Sequence, residues 1–159
     1  MPVRKPPRID DFDRAILQII QKDNLTPLRV IGERVHLSAA AVQRRIRRMQ
    51  EEGVIVANVA VVDPDMVGRP ITILIEVHTE RTHIDRLGTM KEALASAPGV
   101  QQCYFVTGDA DFMLVLNVAT MGEYERWSTA FFDANRNVKW FRTIVVMDRV
   151  KVGLEVPVI

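Results

Sequence analysis

Four arginines fall within five residues, at positions 44, 45, 47 and 48. The stretch around them, LSAAAVQRRIRRMQEEG over residues 37–53, puts three alanines just ahead of the block and holds no lysine. A guanidinium is a planar fork that pairs bidentately with phosphates and guanine edges, whereas an ammonium is a point charge. Small residues let a backbone approach a neighbouring surface closely. The only acids, Glu51 and Glu52, come at the far end. Such a block is either a solvated charged helix face or a surface that grips nucleic acid.

Other residues capable of chemistry are sparse. The histidines, His36, His78 and His83, share no i, i+4 metal-ligand spacing, and the single cysteine, Cys103, stands apart from all three. Asp109 and Asp111 in the turn GDAD could attract a cation, but no further acid clusters beside them in the sequence. There is no glycine-rich dinucleotide fingerprint and no P-loop. No catalytic residue, metal ligand or cofactor is assigned. One cysteine precludes an internal disulfide and suits a reducing compartment. No apolar run approaches the roughly 18 residues of a membrane span, and the start, MPVRKPPRID, lacks the apolar core of a secretory signal. A cytoplasmic protein is expected.

The arginines must be positioned by local elements. Residues 10–22 place Phe12, Ile16, Ile19 and Ile20 on one face behind a run of aspartates, as an amphipathic helix does. Thr26 is expected to cap a second helix over 27–35, with Pro27 at its first position and Leu28, Ile31 and Val35 buried. Gly32 inside that helix costs about 1 kcal/mol against alanine, which close approach of a neighbouring helix would explain. His36 stands in a very short turn that calls for positive φ. Ser38 then caps a third helix over 39–52, which Gly53 closes. At 100° per residue, Val42, Ile46, Met49 and the edge of Ala39 face inward. Ala40, Arg44 and Arg47 face outward, Gln43 and Arg48 flank them, and Arg45 lies near the core boundary. Two helices joined by a tight turn form a helix-turn-helix, and the β-branched run after Gly53 is read as a short wing.

Charge divides the chain. Residues 1–62 carry 11 basic and 7 acidic side chains, and residues 63–159 carry 10 and 13. A basic front and an acidic back point to two domains with different partners. The boundaries are a flexible basic arm over 1–8, a DNA-binding domain over 9–62, a linker over 63–70 and a second domain over 71–159. In the second domain, strands over 71–79, 100–107, 112–119 and 138–150 alternate with helices over 82–96 and 121–132. The second of these helices carries Tyr124, Trp127 and Phe131 on one face. The order βαββαβ predicts a ferredoxin-like fold: a four-stranded antiparallel sheet with both helices on one side. ITILI and MLVLNV are apolar on both faces, so the uncovered face calls for a second copy of the chain. The fold class is α+β, a winged helix-turn-helix followed by a ferredoxin-like domain.

With both halves read, the chain resembles the Lrp/AsnC (leucine-responsive, feast/famine) transcription regulators from about Ile9 to Val152. The residues carrying the likeness are DDFDRAIL, LSAAAVQRRIRRMQEEGVI, VTGDADFML and TIVVMDRVK, in that order. The resemblance implies a sequence-specific DNA-binding regulator that assembles as dimers and octamers and binds a small amino acid. It implies an effector site at Gly108, Asp109, Ala110 and Asp111, joined by Thr143, Ile144 and Val145 from the same or an adjacent subunit. A turn offers backbone N–H groups to a carboxylate and Asp111 could pair with an ammonium; read alone, GDAD is equally a plain hairpin turn with solvated acids. Two places depart from the family. FDANRNVKW at 132–140 replaces a Leu-Pro-Gly-Val-like segment, so Asp133 and Trp140, with the adjoining Phe141, could reshape the pocket or the dimer–dimer contact. Gly32 and His36 stand where alanine and glycine are usual.

For DNA, Gln43, Arg44 and Arg47 are expected at base edges, Arg45 and Arg48 at phosphates, and Ser38 with Ala40 at the closely approaching helix start. The competing reading is a stand-alone small-molecule-binding oligomer without DNA readout; the basic front half stands against it.

Overall fold

The computed structural model describes residues 7–80, 87–135 and 137–159. Most of the expected basic arm, the start of the helix placed at 82–96 and His83 therefore lie outside the described residues. The chain divides into two compact units, Met1–Ala60 with Lys151–Ile159, and Val61–Val150.

The first unit packs α1 (Asp11–Ile20), α2 (Leu28–Val35) and α3 (Ala39–Glu51) around Ile16, Leu17, Ile31, Val35, Val42 and Met49. Helix α1 begins with a reciprocal capping box: Asp10 accepts from Asp13 N–H at 2.9 Å and Asp13 accepts from Asp10 N–H at 3.0 Å. Phe12, expected inward, is 43% exposed, and its place on the buried face is taken by Leu17 and Asp13. Thr26 does not cap α2. Its hydroxyl bonds back to Asp23, and Pro27 is the cap residue without a side-chain bond. The α2–α3 turn behaves as expected: His36 is left-handed at φ 57°. Gly32 is needed by this turn, since a Cβ there would stand 2.4 Å from the Leu37 carbonyl oxygen. Ser38 caps α3 by accepting from Ala41 N–H at 3.2 Å, and Gly53 closes it at φ 73°. Ala39, expected at the core edge, is exposed. The anticipated wing over 54–62 forms no ladder among the described residues; Val54 and Ile55 pack against the helical core.

Residues 151–159, expected in the second domain, run along α1. Gln21 bonds both ways with Val156, at 3.2 and 2.9 Å, Gln18 donates to the Val158 carbonyl, and Val158 packs on the helical core.

The second unit has the order β1 (Ile71–Thr79), α4 (Leu87–Ser96), β2 (Val100–Phe105), β3 (Phe112–Val118), α5 (Met121–Ala134), β4 (Val138–Val145). The sheet runs β2-β3-β1-β4 with every pair antiparallel, which is the ferredoxin-like arrangement. One face buries Ile73, Ile75, Val77, Phe112, Leu114 and Leu116 against Met90 and Leu94 of α4 and Tyr124 of α5. Trp127 and Phe131 join this core, as the spacing requires. The linker belongs to this unit: Arg69 donates to Glu123 at 2.8 Å and Arg149 pairs with Asp65 at 2.7 Å. Strand β4 ends at Val145 rather than 150 because β1 runs out; Val146 N–H makes the last bond, to the Thr72 carbonyl. Cys103 is a half-buried core neighbour, and burial pushes its thiol up. No helix among the described residues is long and apolar enough to cross a membrane.

Candidate nucleic-acid interface and ligand cavity

The four arginines of α3 split into two pairs. Arg44 and Arg47 project outward with Ser38, Ala40 and Gln43, all exposed. Among the described residues Arg44 has no ion pair, and Arg47 has only the solvent-side bond to Glu51 at 3.0 Å. Arg45 and Arg48, expected at phosphates, are turned toward α1. Arg45 Nη1 donates to Asp10 at 2.8 Å and to Asp13 at 2.8 Å, and Arg48 Nη2 donates to Asp13 at 2.5 Å. Asp13 is fully buried. A buried carboxylate is costly unless paired and hydrogen-bonded, and here it meets two guanidinium groups and the Asp10 amide. Phe12 covers Arg45, its ring centre 5.3 Å from the guanidinium carbon. Asp13 N–H, then Arg45, hold the Asp10 carboxyl below its ordinary value, and the two carboxylates in turn raise Arg45.

This geometry explains why α3 can present charge without lysine. Two arginines fix the helix to α1. The other two, with Gln43, form a cationic face that has a bare first turn and an N-terminus free for an anion. Helical spacing already put Arg45 at the core boundary; that Arg48 also turns inward was open to the sequence only through Asp13, an acid on an apolar face, for which an amphipathic pattern has no place.

The second unit holds a cavity of about 510 Å³ lined by His78, Thr79, Glu80, Asp109, Asp111, Lys139 and Trp140. Thr79 N–H and its hydroxyl donate to Asp111 Oδ2 at 2.7 and 2.8 Å, while Asp111 N–H donates to the Val77 carbonyl. Asp111 thus ties the GDAD turn to the end of β1 before it can meet any ligand. Gly108, at φ 124°, allows the turn. Trp140 lies flat on His78, ring centres 3.5 Å apart and 12° between planes.

Thr143, Ile144 and Val145 do not reach this cavity within one subunit. They pair with Ile75, Leu74 and Ile73, several residues back along β1, and the Thr143 hydroxyl bonds to Tyr124. Sequence reading missed His78, Thr79, Glu80 and Lys139; the register of β1 against β4 brings them to the turn. Of the departing segment, Trp140 reaches the cavity, whereas Phe141 stacks on Phe132.

Comparison with known proteins finds the Lrp/AsnC ligand binding domain over residues 72–156 and a winged helix-turn-helix DNA-binding domain over 9–56. An HTH-type transcriptional regulator of Sinorhizobium fredii, y4tD, is 41% identical over 150 residues, covering 94% of this chain and 89% of its own. The crystal structure of an AsnC family transcriptional regulator from Agrobacterium tumefaciens superposes with a TM-score of 0.87 at 29% identity, covering 94% and 97% of the two chains. A Neisseria meningitidis transcriptional regulator, solved as its L-Met complex, gives a TM-score of 0.87 at 21% identity over 94% and 97%.

Proposed function

This chain belongs to the Lrp/AsnC family of transcriptional regulators, and we propose that α3 reads DNA while the second unit senses a small amino acid. The carrying observation is the exposed Gln43–Arg44–Arg47 face on a helix capped by Ser38 and reached through a left-handed turn. Laid in a major groove, Arg44 and Arg47 meet guanine edges and Gln43 an adenine. The helix start and Ser38 meet a phosphate. Arg45 and Arg48 hold the helix at its angle on α1, with phosphate contact left to the part of each guanidinium that stays outside the Asp13 pair.

The uncovered sheet face supports a dimer. Leu74, Met113 and Val115 are only half-buried there, and Ile144 is 37% exposed. Two such faces packed together bury an apolar strip that costs free energy in water. A dimer presents two recognition helices and favours a pseudo-palindromic site with half-sites about one DNA turn apart. Pairs of dimers then build larger assemblies, in which Thr143, Ile144 and Val145 of one subunit can face the turn of another. An effector in the cavity lined by Asp109 and Asp111, beside the turn residues Gly108 and Ala110, shifts the balance between assemblies by binding one better. The amino acid in the Neisseria protein of the same fold supports this ligand class. The regulator works in the cytoplasm of a bacterium or archaeon.

Selection of bound sequences from a random duplex library tests this reading. The expected product is a two-fold symmetric motif whose binding weakens steeply with salt. Enrichment of no motif, at any salt concentration, contradicts sequence-specific regulation and favours a stand-alone ligand-binding oligomer.

A further inference from the structure

The wall chemistry of the cavity selects among amino acids. We infer that its ligand is a basic α-amino acid of the arginine or lysine class; this rests on the effector reading above. Three carboxylates, Glu80, Asp109 and Asp111, face the cavity against one ammonium, Lys139. Asp111 is committed to Thr79. Glu80, Asp109 and Lys139 make no ion pair with one another, although both signs line the same space. Charges of both signs, unpaired among the described residues, suit a zwitterion when they line one cavity: Lys139 takes the carboxylate and one acid takes the α-ammonium. The second acid is then left facing a ligand side chain.

A further feature marks that side chain as flat or cationic. Trp140 offers an indole whose one face is fixed on His78 while the residue is 45% exposed. A guanidinium or ammonium over an indole is attracted by its π-face, an attraction a leucine side chain does not gain. A glutamate side chain would add a fourth carboxylate to the three already present. The volume of about 510 Å³ lies within the ordinary range for small-ligand sites.

Isothermal titration of the full chain with L-arginine, L-lysine, L-leucine, L-glutamate and agmatine tests the assignment. L-arginine or L-lysine is expected to bind about 10-fold more tightly than L-leucine. Glutamate should give no heat, and agmatine, which has no carboxylate for Lys139, should bind poorly. Trp140→Leu, with its fold checked by circular dichroism, should lower the arginine-to-leucine ratio, the remaining acid keeping part of it; an unchanged ratio overturns the role of the indole. L-leucine or L-glutamate binding as tightly as L-arginine overturns the basic class and leaves an amino-acid effector standing. Agmatine equal to arginine overturns the zwitterion. No response to any α-amino acid removes the effector reading itself.

Discussion

Asp13 shows how one side chain can set the orientation of a binding surface. It sits on the buried side of α1 at zero exposure and accepts from Arg45, Arg48 and the Asp10 amide. Removing its charge leaves Arg45 with Asp10 alone and Arg48 with only Glu52, at 3.9 Å. Asp13→Asn is expected to lower stability by about 2–3 kcal/mol in urea unfolding, less than for a fully buried pair because both arginines keep some water. It should also weaken DNA binding without touching the exposed face. Asp10 gives a pH signature. Its folded carboxyl lies below its ordinary value of 3.8, held by the Asp13 amide and then by Arg45. Above 3.8 the carboxyl is ionised in both folded and unfolded chains and its contribution is fully present. As pH falls below 3.8 the unfolded chain takes up the proton first, and the contribution is lost on the way to the lower folded value. The stability advantage of the wild type over Asp10→Ala should therefore shrink steadily below about pH 4 in chemical denaturation series.

At the scale of elements, the helix-turn-helix depends on a turn that only one backbone conformation closes. His36 occupies it at φ 57°, a region that costs an L-residue on the order of 1 kcal/mol. His36→Gly should raise stability by about 0.5–1 kcal/mol, the relief of strain exceeding the added chain entropy; an unchanged or lowered unfolding midpoint would contradict the strained turn. This turn was legible in the sequence because the connection His36-Leu37-Ser38 leaves no slack. So were Ser38, Gly53 and β1, where caps and period-2 patterns are local signals. How the β-branched run at 54–62 pairs was not, since strand propensity names no partner and the run forms no ladder among the described residues. The path of residues 151–159 along α1 was equally hidden. Its bonds join positions about 140 residues apart, as between Gln18 and Val158, and no local pattern encodes them. The cavity was half legible: GDAD marks a turn, but only the pairing His78 with Trp140 in the β1–β4 register shows what stands beside it.

For the whole molecule, the division of charge maps onto two compact units with separate tasks. Assembly is proposed through the uncovered sheet face of the second unit. Placing a charge there, as in Leu74→Glu, should convert the dimer to monomers in sedimentation and cost affinity for a two-half-site operator, while the circular dichroism spectrum stays native. A dimer that survives the substitution would move the interface elsewhere. The central claim remains that Arg44 and Arg47 meet bases whereas Arg45 and Arg48 hold the helix. It is tested most directly by fluorescence anisotropy on a selected operator with the Arg44→Ala/Arg47→Ala double variant. The expected loss is on the order of 1–3 kcal/mol per base contact, with unfolding behaviour unchanged. Wild-type affinity in that double variant would contradict the account.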